Sequence, residues 1–145
     1  MSSIRCRCCT TRVSRHVERA VTAYYATSGR TWATDPANNP DQFHVVRELR
    51  IEYLNPVLGP GAMRIDIWVE RLGNTSCTYK FLCTSEDGRV SYARGERTIV
   101  KVDPSTRRPA PWTDFFRDHN AALLKVSTDS VRTPANAERA ASREE

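Results

Sequence analysis

The chain has no apolar run approaching the roughly 20 residues that a membrane-spanning helix needs, and its start has no hydrophobic signal core. We therefore expect a cytoplasmic protein that does not cross a membrane. Cysteines paired at metal-ligand spacing are also missing. Cys6, Cys8 and Cys9 crowd the start with His16 further on, but they lack the C-x-x-C spacing that brings two thiolates to one tetrahedral ion. No metal and no cofactor are expected. An odd count of five cysteines suits reduced thiols better than a secreted disulfide framework. There is no internal repeat. Acidic residues are scarce early, where Arg5, Arg7, Arg12, Arg15 and Arg19 surround the single acid Glu18. The net charge of +5 permits an anionic partner. The basic segment has no interleaved aromatic residues, so a nucleic acid is not the expected one.

What is present is enough for one packed domain. In 145 residues, 39% are hydrophobic, with three Trp, five Tyr and four Phe to fill a core. One segment has a helical period. Val17, Ala20, Val21, Tyr24, Tyr25 and Ser28 recur at i, i+3, i+4 spacing, which predicts a helix over residues 17–29. Ser14 is placed to cap its start, and Gly29 to end it in a left-handed conformation.

The other segments alternate with the period of strands. Residues 4–9 read as a short edge strand, and residues 34–41, with Pro36, Asn38, Asn39 and Pro40, as a loop. Val45, Leu49, Ile51 and Tyr53 share one face of the next strand. Met63, Ile65, Ile67 and Val69 share a face of the following one, and Cys77, Tyr79, Phe81 and Cys83 of the one after. Asp87-Gly88 makes a hairpin turn into a longer strand over residues 89–102. Short connections between four successive strands predict an antiparallel meander. After Asp103-Pro104 and an extended linker over residues 107–111, residues 114–124 form a short helix. Phe115, Phe116, His119, Ala122 and Leu123 lie on one side of it. The organisation expected is one domain over residues 1–125 and a disordered tail over residues 126–145.

The order of these elements resembles the hotdog fold, in which a sheet wraps one helix. Ile51-Glu52-Tyr53-Leu54-Asn55-Pro56 before Gly61, Val69 to Ser76, Ala93-x-Gly95 and Val100-x-Val102-Asp103 resemble the 4-hydroxybenzoyl-CoA thioesterase family and its acyl-CoA thioesterase relatives. The resemblance implies an α+β fold with a five-stranded antiparallel sheet around one long helix and a short C-terminal helix. It also implies homodimers, often paired into tetramers, with active sites between subunits. The family places chemistry where the first strand enters the helix. Its pattern there is an Asp, then three residues ending in Gly, then His-Val-Asn-Asn, with a Glu about a turn before the helix ends. In this chain His16, Val17, Ala20, Val21, Tyr25, Gly29 and Arg30 fit that pattern. Arg12 stands at the Asp, Arg15 at the Gly, Glu18 and Arg19 at the asparagines, and Thr27 at the Glu.

Thioester hydrolysis requires a carboxylate to attack or to activate water, and donors for the oxyanion. Arginine stays protonated and cannot serve as that base. His16 and Glu18 are the nearest substitutes, and the backbone near Glu18 to Ala20 is the expected source of oxyanion donors. Gly73-Asn74-Thr75-Ser76 resembles the turn beside which the family places the pantetheine arm, and is the candidate substrate-binding segment. Arg71, Arg107 and Arg108 are candidates for CoA phosphates, whereas Tyr53 and Trp68 read as packing or subunit interface. The expected activity is hydrolysis of acyl-CoA or acyl-carrier-protein thioesters, with a fatty or aromatic acyl group. The alternative is a non-catalytic relative that binds acyl thioesters or a protein partner.

Overall fold

A computed structural model describes residues 2–8, 13–30, 37, 39–58 and 61–124. Cys9, Arg12, the tail over residues 126–145 and the side chains of Cys6 and Cys8 lie outside the described residues. The elements run β1 (Ser2–Cys8), α1 (Val13–Ala26), a 3-10 turn (Pro40–Gln42), β2 (His44–Tyr53), β3 (Gly61–Leu72), β4 (Ser76–Ser85), β5 (Ser91–Lys101) and α2 (Asp114–Ala121). The strands form one antiparallel sheet of five in the order β1-β3-β4-β5-β2. This is the hotdog arrangement of an α+β domain with α1 in the fold of the sheet.

Helix α1 starts earlier than residue 17 because its apolar stripe runs further back. Val13 and His16 continue the series of Val17, Ala20, Val21 and Tyr25, and all six are buried. Ser14 is therefore inside the first turn and does not precede it as a cap. The helix ends at Ala26. A tightened turn follows, in which the N–H groups of Thr27, Ser28 and Gly29 donate to Tyr24, Tyr25 and Ala26. Gly29 has φ +82°, the left-handed conformation that a residue without Cβ adopts freely.

The alternation in β3 and β4 is realised as expected. Met63, Ile65, Ile67 and Val69, with Cys77, Tyr79, Phe81 and Cys83, are all buried and form one core with the α1 stripe, Ile99, Trp112, Phe116 and Leu123. Burying each aliphatic side chain contributes on the order of 1.5–3 kcal/mol of transfer free energy. Cys77 and Cys83 are free thiols in that core. Burial pushes the Cys77 thiol up to about 12, so it stays protonated.

Strand β2 departs from expectation twice. It does not pair with β3 as a meander requires, but crosses to the far edge and pairs with β5. A bulge between Val46 and Glu48 also shifts its register. Val46 is then opposite the buried Ile99, while Val45 is opposite Val100. Val46, and not Val45, shares the inner face with Leu49, Ile51 and Tyr53. This face is poorly covered: Val46 is 48% exposed, Leu49 41% and Tyr53 66%. Gly95 lies opposite Ile51 on β5, where a Cβ would come within 1.9 Å of the Arg50 carbonyl oxygen. Only glycine permits that approach of the two strands.

A buried polar latch joins the loop after α1 to the start of α2. The fully buried Asp41 carboxylate accepts from the backbone N–H of Thr113 at 3.1 Å and from its hydroxyl, and lies 3.3 Å from the Lys101 ammonium. Thr113 in turn caps α2, accepting from the Phe116 N–H. Breaking a buried ion pair strands its other half. Asp41→Ala should therefore lower stability by about 3–5 kcal/mol. Asp41→Ala with Lys101→Met should recover part of the loss, both read as urea unfolding midpoints.

Candidate functional site

On a helix, residues two apart point about 200° away from each other, and this separates the two residues expected to do the chemistry. His16 is 8% exposed and belongs to the buried stripe. Burial holds its imidazole below the ordinary range, and the charges of Arg19 and Arg15 add to the effect. Glu18 is exposed on the other side of the helix. It lines three adjoining cavities. One, of about 290 Å³, is formed with Ser14, Arg15, Val46, Leu49 and Arg97. A second, of about 220 Å³, is formed with Val21, Thr22, Gln42, His44, Arg97 and Ile99. Arg15, Arg19 and Thr22 join it around the third.

Arg97 and His44 were not legible as site residues. Arg97 sits on the inner face of β5, opposite Leu49 of β2 and Tyr79 of β4. Its guanidinium is held below the ordinary range by loss of solvent, with Glu18 and Tyr79 pulling the other way. Glu18 thus acts on Arg97 through the field across the cavity. His44 opens β2, and its Nδ1–H donates to the Asp41 carbonyl at 3.0 Å. A carbonyl can only accept, so Nε2 is the nitrogen that bears the lone pair. Burial lowers the His44 pKa; the hydrogen bond to Asp41 opposes this, Arg97 adds to it, and Asp41 and Glu18 oppose it by charge. The only hint in the sequence was a histidine at the junction of loop and strand.

The expected oxyanion donors near Glu18 to Ala20 are not available. Because α1 begins at Val13, the N–H groups of those residues lie inside the helix and bond to carbonyls one turn back. The N–H groups that have no partner within the helix are those at its start, Val13 to Arg15. Ser14 and Arg15 line the same groove as Glu18.

The turn Gly73-Asn74-Thr75-Ser76 joins β3 to β4, and its carbonyls are engaged by neighbouring elements. Arg117 donates to Gly73 O at 2.9 Å, Trp112 N–H to Asn74 O at 3.0 Å and Lys101 N–H to Thr75 O at 2.9 Å. A Cβ at Gly73 would meet the Ser76 hydroxyl at 2.9 Å. The three cavities that Glu18 lines do not include this turn. Thr27, at the family's helix Glu, falls beyond the end of α1, where its hydroxyl donates to Tyr24 O at 2.6 Å. Arg71, Arg107 and Arg108 are exposed, as is Tyr53, while Trp68 lines a groove on the outer sheet face with Lys80, Leu82 and Arg94. Among the described residues no cluster of His, Cys, Asp or Glu is arranged to hold a metal ion. No helix among them is long and apolar enough to cross a membrane.

His16 and His44 both bind protons less readily when folded than when unfolded. The unfolded chain therefore takes up more protons as pH falls below about 6.5, and stability falls with it. Urea midpoints should drop between about pH 7.5 and about pH 5.5. The drop should be smaller in His16→Gln and in His44→Gln.

The family model described as the thioesterase superfamily matches residues 10–92 of the chain. Among solved structures, a DHNA-CoA thioesterase from Staphylococcus aureus aligns with TM-score 0.70 at 16% identity, covering 84% of this chain and 89% of that one. A thioesterase from Thermus thermophilus, complexed with coenzyme A and zinc, aligns with TM-score 0.62 at 19% identity, covering 83% and 92%. A protein from Pseudomonas aeruginosa strain PAO1 aligns with TM-score 0.71 at 21% identity, covering 88% and 94%. No curated protein sequence matches the chain. The family match covers α1 and the sheet through the start of β5, more than half of the chain, and this protein belongs to the thioesterase superfamily.

Proposed function

We propose that the protein hydrolyses acyl-CoA thioesters, with Glu18 as the carboxylate that activates water. The observation that carries this reading is the position of Glu18, which lines one groove with Ser14 and Arg15 of the first turn of α1. In this reading the thioester carbonyl lies in the groove beside Ser14 and Arg15. Glu18 takes a proton from the attacking water, and the negative charge on the carbonyl oxygen meets the partial positive charge of the helix start. The tetrahedral centre then collapses, breaking the carbon–sulfur bond and releasing the acid and the CoA thiol. The known structures that align include one with bound coenzyme A, which supports a CoA thioester as the substrate.

Liberated thiol should be measured on a panel of acyl-CoA esters. Glu18→Gln keeps the size and removes the base, and should lower kcat by about a hundred- to ten-thousand-fold. His16→Gln, on the buried side of the helix, should leave kcat near wild type. Absence of thiol release from every ester by the wild-type protein would sink the reading and favour the non-catalytic binding role.

The active unit is proposed to be a homodimer joined along β2. This strand is a sheet edge ten residues long, with Val45, Val46, Leu49 and Tyr53 exposed. Bare edges of this kind recruit another strand, and a second copy would complete the groove that Val46 and Leu49 leave open beside Glu18. Sedimentation should show a dimer for the wild type and a monomer for Leu49→Arg, with activity lost alongside.

A further inference from the structure

We infer that the small cavity behind Glu18 selects acyl groups that end in a carboxylate, and that Arg97 is the residue that binds it. This rests on the reading of Glu18 as the hydrolytic centre and names the substrate class of that site.

The inner row of β5 contains Ala93, Gly95, Arg97, Ile99 and Lys101, two cations among apolar positions. The fold treats them differently. Lys101 is buried and its charge is matched by Asp41 at 3.3 Å. Arg97 has no such partner among the described residues. Its Nε is shielded from solvent and lacks a hydrogen-bond partner among the described residues, and Glu18 shares the walls of two cavities with it and acts on it by charge. A desolvated guanidinium without a bonded anion is costly to keep, and its planar fork fits a carboxylate with two parallel hydrogen bonds.

The space beside it fits such a group. The cavity holds about 220 Å³, below the roughly 300–1,000 Å³ of sites that enclose drug-sized ligands. Its wall also includes the polar residues Thr22 and Gln42, with Val21 and Ile99 as the apolar part. A short chain with an anionic end matches this lining, and a long fatty chain does not. Glu18 repels a second carboxylate, but Arg97 stands with both and its five donors can serve the incoming one.

The test compares two four-carbon esters, succinyl-CoA and butyryl-CoA, on wild type, Arg97→Gln and Arg97→Lys. Thermal melts should first establish that the variants fold. The wild type should prefer succinyl-CoA. Arg97→Gln should raise its KM for that ester by about 10- to 100-fold, with little change for butyryl-CoA, and Arg97→Lys should retain part of the preference. Equal loss of kcat on both esters in Arg97→Gln would mean that Arg97 acts on the reacting centre, and would overturn the inference. A wild-type preference for butyryl-CoA would overturn it as well. If the wild type hydrolyses neither ester, turnover gives no comparison and binding replaces it as the readout. Calorimetry with the intact esters then decides, since Arg97-dependent tighter binding of succinyl-CoA upholds the carboxylate site and equal binding removes it. If neither variant folds, Thr22→Val and Gln42→Leu decide: loss of the succinyl-CoA preference upholds the anionic pocket, and its full retention overturns it.

Discussion

A helix has one buried side, and most of this molecule follows from how α1 uses it. Val13, His16, Val17, Ala20, Val21 and Tyr25 form a stripe that must leave water, and only the inner face of the sheet is large enough to cover it. Once that stripe is fixed, Glu18 is turned away from the core toward the margin where β5 gives way to β2. The site is thus a by-product of coverage: β3 and β4 close over the helix, β2 at the far edge does so only partly, and the uncovered strip holds Glu18, Arg97 and His44.

The parts of the fold that could be read in the sequence were those where one local period decides the outcome. Met63 to Val69 and Cys77 to Cys83 alternate without interruption, and each inward side chain is buried. The α1 stripe is equally plain, although the sequence suggests a start at residue 17 with Ser14 as its cap. What decided the matter was Val13 and His16 one turn earlier, which continue the stripe and so extend the helix. Strand β2 was the misleading one. A bulge of one residue at Arg47 exchanges Val45 for Val46 on the inner face, and no local pattern announces such a bulge. The order of strands was hidden for a related reason, since β2 and β3 are joined by a loop that does not itself reveal whether they pair.

The candidate site was legible in part. Glu18 and His16 are together the nearest substitutes that the sequence offers where the family's carboxylate positions hold Arg12 and Thr27, and the structure puts them on different sides of α1. The companions of Glu18 were not legible, because Arg97 and His44 come from strands that meet α1 only in three dimensions. A charge at an inward strand position is the signal that could have found Arg97: it shares the parity of Ala93 and Ile99, which are core residues. Asp41 was hidden in a segment rich in turn-forming residues, where an acid is unremarked, yet it is the fully buried anchor that fixes α2 to the sheet.

The location of Thr27 bears on the proposal that Glu18 supplies the carboxylate. That position falls past the end of α1, in a turn tied to Tyr24, whose ring stacks on His119 of α2 at 4.4 Å. Tyr24 and His119 each also hydrogen-bond to the other's backbone carbonyl, so this end of the helix is occupied by the packing of α2. Position 27 is exposed beside His119 and lies outside the three cavities that Glu18 lines. Glu18 instead lines a groove with Ser14 and Arg15 of the first turn of α1. In the proposed hydrolysis this suits Glu18 to the role of base, since it is exposed and shares its groove with the start of the helix.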